Sequence, residues 1–209
     1  ILAWVMFLQL DQFFLLQDQL ATLPNAPGVT DLVIAPTIEF ASIVLLMVTP
    51  LITMRLISEE RRSGTLNLLL SSPVSVSSIV IGKFLGAFLF MTLLTAMLSL
   101  MMLALNMGTD IDHGKLAAGL LGLLLMLAAF TAAGLFVSSM TANPVVAAIA
   151  SFGLLLFLWL IGGGGGEDVM LTKLSLLHHF APLLRGIVDS RDIVYFLLCI
   201  TGFLALSVR

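Results

Sequence analysis

Charge is what this chain has least of. Asp, Glu, Lys and Arg together make up 10% of its 209 residues, while 60% are hydrophobic and the mean hydropathy is +1.16. Soluble domains carry about 25% charged residues, and a chain with so few cannot cover itself with a polar surface. That argues against a soluble helical bundle and leaves lipid as the solvent for most of the exterior. Cysteine is almost absent as well. Cys199 stands alone in an apolar run, so no internal disulfide is available and no redox compartment is indicated. The pattern GxxxxGK[ST] does not occur: Gly82-Lys83 lacks both the earlier glycine and the following hydroxyl. No phosphate-cradling loop, and hence no ATPase site, is encoded. Nor does any Asp, Glu, Lys, Arg or His lie deep in the apolar runs, where only hydroxyls such as Ser42, Thr95, Thr131, Ser138 and Ser151 break the hydrocarbon. Ion-coupled carriers need ionisable groups at that depth, which argues against a secondary transporter.

What is present is a series of apolar intervals, each near the roughly 20 residues that cross a bilayer. They predict an all-α membrane protein with six transmembrane helices in one domain, 1–209, with spans near 1–10, 35–57, 79–105, 115–140, 144–161 and 192–209. The charge-free stretch from Leu116 to Gly166 is too long for one crossing, and Thr141-Ala142-Asn143-Pro144 divides it, since Asn and Pro punctuate helices. The chain opens on Ile-Leu-Ala-Trp and stops at Arg209 behind an apolar run, so the first and last spans are expected to be truncated. Residues 11–31, with Asp11, Asp18, Pro24, Pro27 and Gly28, read as an exposed loop. Five glycines at 162–166 hold a helix poorly; a flexible turn and an artificial linker in place of a native loop both fit them.

Lys and Arg set the orientation. One side of the membrane collects Arg55, Arg61, Arg62, Lys83 and Arg209 against Glu59 and Glu60. The other collects Lys115, Lys173, Arg185 and Arg191 against ten acidic residues, Glu39 included. The first side is expected to face the cytoplasm. Glu39 and Arg55 lie about 24 Å apart along a helix, which suits flanks at opposite interfaces.

The segment 58–78 carries the most information. Glu59-Glu60-Arg61-Arg62 is followed by Leu66, Leu69 and Leu70 at i, i+3, i+4, and Pro73 ends the run. The pattern describes an amphipathic helix lying along the membrane face; a plain juxtamembrane loop is the other reading of the same residues. Small residues four apart, Gly82/Gly86 and Gly134/Ser138, predict close helix approaches. His178-His179 near the last span invites a metal site, but adjacent helical side chains point about 100° apart and no cysteine accompanies them, so hydrogen-bonding histidines are expected and no metal. The stretch 171–188 is semi-apolar, and the eleven methionines are scattered through the spans, as packing residues are.

Pro50, Met54-Arg55, Glu59-Glu60-Arg61, Gly64-Thr65-Leu66, Leu69-Leu70, Pro73 and Gly82-Lys83 together resemble the coupling-helix region of type-2 ABC exporter permeases. Within that family the run looks like the bacterial gliding-motility permease branch. The likeness continues through Thr141-Ala142-Asn143-Pro144-Val145, and through Ser175-Leu176, His179-Phe180, Arg185-Gly186, Asp189, Arg191-Asp192 and Tyr195-Phe196. The glycine run departs from it.

The resemblance implies a permease subunit of an ATP-driven transporter in the bacterial inner membrane. It would have a cytoplasmic coupling helix between spans two and three and short re-entrant outer helices before span six. Glu59, Glu60, Arg61, Arg62, Gly64, Thr65, Leu66, Leu69, Leu70 and Pro73 would dock a cytoplasmic ABC ATPase subunit, as a helix seats in a groove. His179, Phe180, Arg185, Gly186, Asp189 and Asp192 would build the outer re-entrant segment. No cofactor is expected in this chain; ATP and Mg would be bound by the partner subunit. Further expected partners are a second permease copy or a related permease, an extracytoplasmic accessory protein and membrane lipid, with no nucleic acid. The alternative is a non-transporting membrane scaffold that docks a cytoplasmic partner through the same helix. On this reading Glu60→Arg, or Asp at both Leu66 and Leu69, would release the ATPase.

Overall fold

A computed structural model describes residues 2–20, 28–65, 74–105, 111–161 and 173–208. Its described residues are helical, with no strand. In chain order the helices are α1 (Leu2–Leu20), α2 (Ala35–Thr53), α3 (Ser58–Ser63), α4 (Val76–Ala104), α5 (His113–Met140), α6 (Pro144–Leu160), α7 (Leu176–Leu184) and α8 (Ser190–Ser207). Four helical stretches, Thr30–Ser63, Val76–Ala104, His113–Met140 and Ser190–Ser207, are long and apolar enough to cross a membrane. Leu2–Leu15 and Pro144–Leu160 are shorter apolar helices.

The helix ends follow from local chemistry. Ser75 caps α4 by accepting from Ser78 N, Asp112 caps α5 by accepting from Gly114 N and Lys115 N, and Asn143 caps α6 by accepting from Val145 N. Ser175 and Asp189 do the same for α7 and α8. Each short polar side chain satisfies one or two N–H groups that the first turn leaves without a partner. Ahead of α2 runs a π-helical turn, Thr30–Ile34. Pro36 has no N–H to give back to Leu32, and the register slips just before it, with Ala35 N–H reaching Thr30 O five residues back.

At the centre stands α5. Its buried residues run nearly all round, with Leu123, Met126 and every position from Leu127 to Leu135 inside. Small side chains make that possible. A Cβ on Gly119 would lie 2.9 Å from Ile38 of α2, and one on Gly122 would lie 2.9 Å from Leu183 Cβ of α7. At Gly134 an added Cβ would collide with the Thr53 side chain at the end of α2. Helices in lipid gain nothing from burying apolar surface alone, so close packing over small residues holds them together. By contrast, α4 lies at the periphery. It buries one stripe, Val80, Phe84, Ala87, Met91, Thr95, Leu98 and Met102, and exposes Ile81, Leu85, Leu89, Leu93 and Met97.

Hydroxyls within the spans find acceptors, most of them on their own helices. Thr49 donates to Leu45 O, Thr53 to Thr49 O, Thr95 to Met91 O and Thr131 to Leu127 O. Such back-bonding removes the cost of a bare donor in hydrocarbon. Ser151 is the exception among the described residues: its buried Oγ has no partner.

Three sequence expectations need correction. Residues 11–20, read as loop, continue α1 to Leu20, because Asp11, Gln12, Gln17 and Asp18 tolerate a helix well where it emerges into water. Gly82 and Gly86 approach nothing; an added Cβ at either would meet open space, since both sit off the buried stripe of α4. The charged turn 58–63 also does not run on into the leucines as one helix, because Gly64 at φ 75° closes it in the left-handed conformation, where glycine is favoured.

Candidate functional site

The end of α2, the start of α4 and the end of α5 converge on α3. The close approach at Gly134 brings Thr53 against α5 and carries the next turn of α5 up to the exit of α2. There the wholly buried Ser138 hydroxyl donates to Met54 O at 3.0 Å and accepts from Ile57 N and Ser58 N, both at 3.2 Å. One side chain of α5 thus serves as acceptor for the start of α3, whose first N–H groups have no helical partner. Ser58 donates its own hydroxyl to Met54 O.

The charges of α3 divide into two kinds. Glu60 pairs with Lys83 of α4 at 2.6 Å, and Lys83 also donates to Leu56 O at 2.5 Å. Arg61 donates to Ser139 O of α5 at 2.9 Å. These two ties strap α3 to both neighbouring spans. Glu59 and Arg62 are exposed and have no hydrogen bond or ion pair among the described residues. Acidic residues open α3 and basic ones close it, the arrangement a helix dipole favours. Past Gly64, the Thr65 hydroxyl meets that of Ser63 at 2.8 Å. Leu66, Leu69, Leu70 and Pro73 lie outside the described residues.

A second polar cluster forms at the opposite end of α5. The short α7 turns Leu176, Phe180 and Leu183 inward, against Gly122 of α5. Its His179 places Nδ1 2.7 Å from Asp192 Oδ1 and Nε2 2.9 Å from Lys173 O. Both side chains are largely buried, at 13% and 11% exposure. Tyr195 stacks on the imidazole with centroids 4.0 Å apart and donates to Leu174 O at 2.5 Å. His178 meets His179 edge-on, with ring centroids 5.4 Å apart and planes at 80°. Gly186, at φ 81°, ends α7 beneath Lys115, and Lys115 pairs with Asp31 at 2.8 Å. Asp189 caps α8 and Arg185 is exposed. His179, Phe180 and Asp192 therefore come together, while Arg185 and Asp189 stand apart from them. Among the described residues no group of three side chains has the make-up of a metal site.

Sequence reasoning missed the receiving side of the α3 junction. Ser138 entered as a span hydroxyl and a small residue, and Lys83 as a basic flank and the end of a motif, neither of them as a partner of segment 58–63. A usable signal existed for Lys83, the one charge between Val76 and Ala104. A cation several residues inside an apolar helix needs a partner.

Comparison with known families matches the model described as ABC-2 family transporter protein over residues 1–185. No curated protein and no solved structure matches the chain. With four helices long and apolar enough to cross a membrane and a match that spans 185 of 209 residues, the chain belongs to the ABC-2 family of transporter proteins, as an integral membrane component rather than a catalytic ATPase.

Proposed function

We propose that this chain is the permease subunit of an ATP-driven transporter, and that the strap between α2 and α4 receives its ATPase. The observation that carries the reading is the division of charge on α3. Glu60 and Arg61 are engaged inside the chain, by Lys83 and Ser139 O, although the buried Glu60 Oε2 has no partner among the described residues. Glu59 and Arg62 project outward without partners among the described residues. Free charges of both signs on a rigidly tethered turn suit a polar protein groove, and the leucine stripe at 66, 69 and 70 supplies apolar anchors next to them. A push on α3 would pass through Lys83 into α4 and through Ser138 and Ser139 into α5.

The proposed assembly has six spans, α3 on the cytoplasmic side of a bacterial inner membrane, and two permease copies or a related pair. ATP and Mg belong to the ATPase. The affiliation with gliding-motility permeases and an extracytoplasmic accessory protein are parts of the same proposal.

The test is co-purification of the ATPase subunit with Glu59→Lys/Arg62→Glu and with Leu66→Asp/Leu69→Asp variants. Both are expected to lose it while inserting normally. Undiminished capture of the ATPase would refute the docking assignment. Retained docking together with ATP turnover that ignores every span mutation and ligand would support the scaffold alternative. Glu60→Arg is a poor probe, because it breaks the tie to Lys83 before it touches any partner.

A further inference from the structure

A cleft of about 320 Å³ opens between the start of α2 and the outer helix α7. That is near the lower end of ligand-site volumes, about 300–1,000 Å³. Asp31, Glu39 and Arg185 line it together with Leu177, Ala181 and Leu184. The three apolar residues are spaced i, i+4, i+7 and form one stripe of α7. Asp31 is already neutralised by Lys115. Glu39 and Arg185 are exposed, and neither side chain has a hydrogen bond or ion pair among the described residues. The cleft therefore offers one unmatched carboxylate, one unmatched guanidinium and an apolar wall.

Its depth is set by α2. Glu39 and Arg55 are separated by about 24 Å of helix, close to the roughly 30 Å hydrocarbon layer. That spacing argues for Glu39 near one hydrocarbon boundary, where headgroups meet acyl chains.

We propose that this cleft binds the headgroup of an amine-bearing zwitterionic phospholipid of the phosphatidylethanolamine class. Arg185 takes the phosphate, a match its planar fork favours. Glu39 takes the ammonium, and the glycerol and upper acyl carbons lie along Leu177, Ala181 and Leu184. A zwitterion brings one charge of each sign to a site with one unmatched charge of each sign. Phosphatidylglycerol leaves Glu39 without a counter-charge. Phosphatidylcholine has no N–H to donate to it.

The test is native mass spectrometry of the full chain released from nanodiscs holding equal amounts of phosphatidylethanolamine, phosphatidylcholine and phosphatidylglycerol. One charge-assisted hydrogen bond is worth about tenfold in affinity, so phosphatidylethanolamine should be retained about tenfold over phosphatidylglycerol. Glu39→Gln should bring that ratio close to one, whereas Arg185→Gln should lower retention of all three lipids. Arg191→Gln, an exposed change outside the cleft, should alter neither. An unchanged thermal midpoint in each variant excludes misfolding. Equal retention of the three lipids by the unaltered protein, a ratio that Glu39→Gln leaves standing, or an equal effect of Arg191→Gln would each overturn the assignment. No ATPase is needed for the measurement, so its outcome is separate from that of the docking test.

Discussion

Each end of the bundle ties a short helix to its neighbours, but the ties themselves differ: those of α3 are open and that of α7 is buried. At the α3 end, Glu60–Lys83 and Arg61–Ser139 O are partly open to solvent, and two further charges are left over. At the α7 end the Lys115–Asp31 pair and the charges of Glu39 and Arg185 are open too, but α7 itself is held by His179 and Asp192, buried together, with Tyr195 covering the ring and both oxygens of the preceding turn used as acceptors. Open pairs are individually weak and exchange readily with a partner's groups. Buried and fully bonded ones are costly to disturb. The strap on α3 is thereby the looser tie, and the His179–Asp192 pair the firmer one.

Substitutions can break or sharpen that contrast. The largest effect is expected from Asp192→Ala, which leaves His179 Nδ1 without its partner in a largely buried site; an unsatisfied buried polar group costs up to about 3 kcal/mol. A clear fall in the thermal unfolding midpoint in detergent would register it. Gly134→Val comes next. It drives a side chain into Thr53, and overpacking of this kind costs about 1–3 kcal/mol; crosslinking between α2 and α5 should report their separation. Ser138→Ala removes the acceptor of Ile57 N and Ser58 N, worth about 1–2 kcal/mol as a cap. Protease accessibility of segment 58–65 should rise, while unfolding of the α7 end stays as it was. Lys83→Met should cost about 1 kcal/mol or less, the range of partly exposed pairs, and should loosen α3 by the same protease assay. The exchange Glu59→Lys/Arg62→Glu should change stability by no more than about 0.5 kcal/mol, yet abolish ATPase co-purification. If instead the exchange destabilised the protein as strongly as Asp192→Ala, the distinction between the two ends would fall.

Much of the helix punctuation was legible. Asn143-Pro144 marks a cap followed by a residue suited to the first turn, and the structure ends α5 at Met140 and opens α6 at Pro144. The loop expected at 11–31 was misread because polarity outside a membrane does not forbid a helix, and α1 continues to Leu20. For the outer segment, hydrogen-bonding histidines were the correct expectation for His179, but its partner Asp192 could not be named. Thirteen residues and a helix cap separate the two, and nothing local encodes that distance. Likewise the spacing rule for small residues held at Gly134/Ser138 and failed at Gly82/Gly86. Both pairs look alike in sequence, and only the position of neighbouring helices tells them apart.

By itself the sequence determined the solvent, the helical class and most helix ends, because scarcity of charge and the chemistry of caps act within a few residues. Tertiary structure alone decided which face of each span lies inside. In water, an amphipathic stripe announces the buried face. In lipid both faces are apolar, so no periodic signal distinguishes them, and the choice falls to where small residues and hydroxyls of different helices meet. For the same reason the strap on α3 became visible only when Lys83, Ser138 and Ser139 were brought beside it.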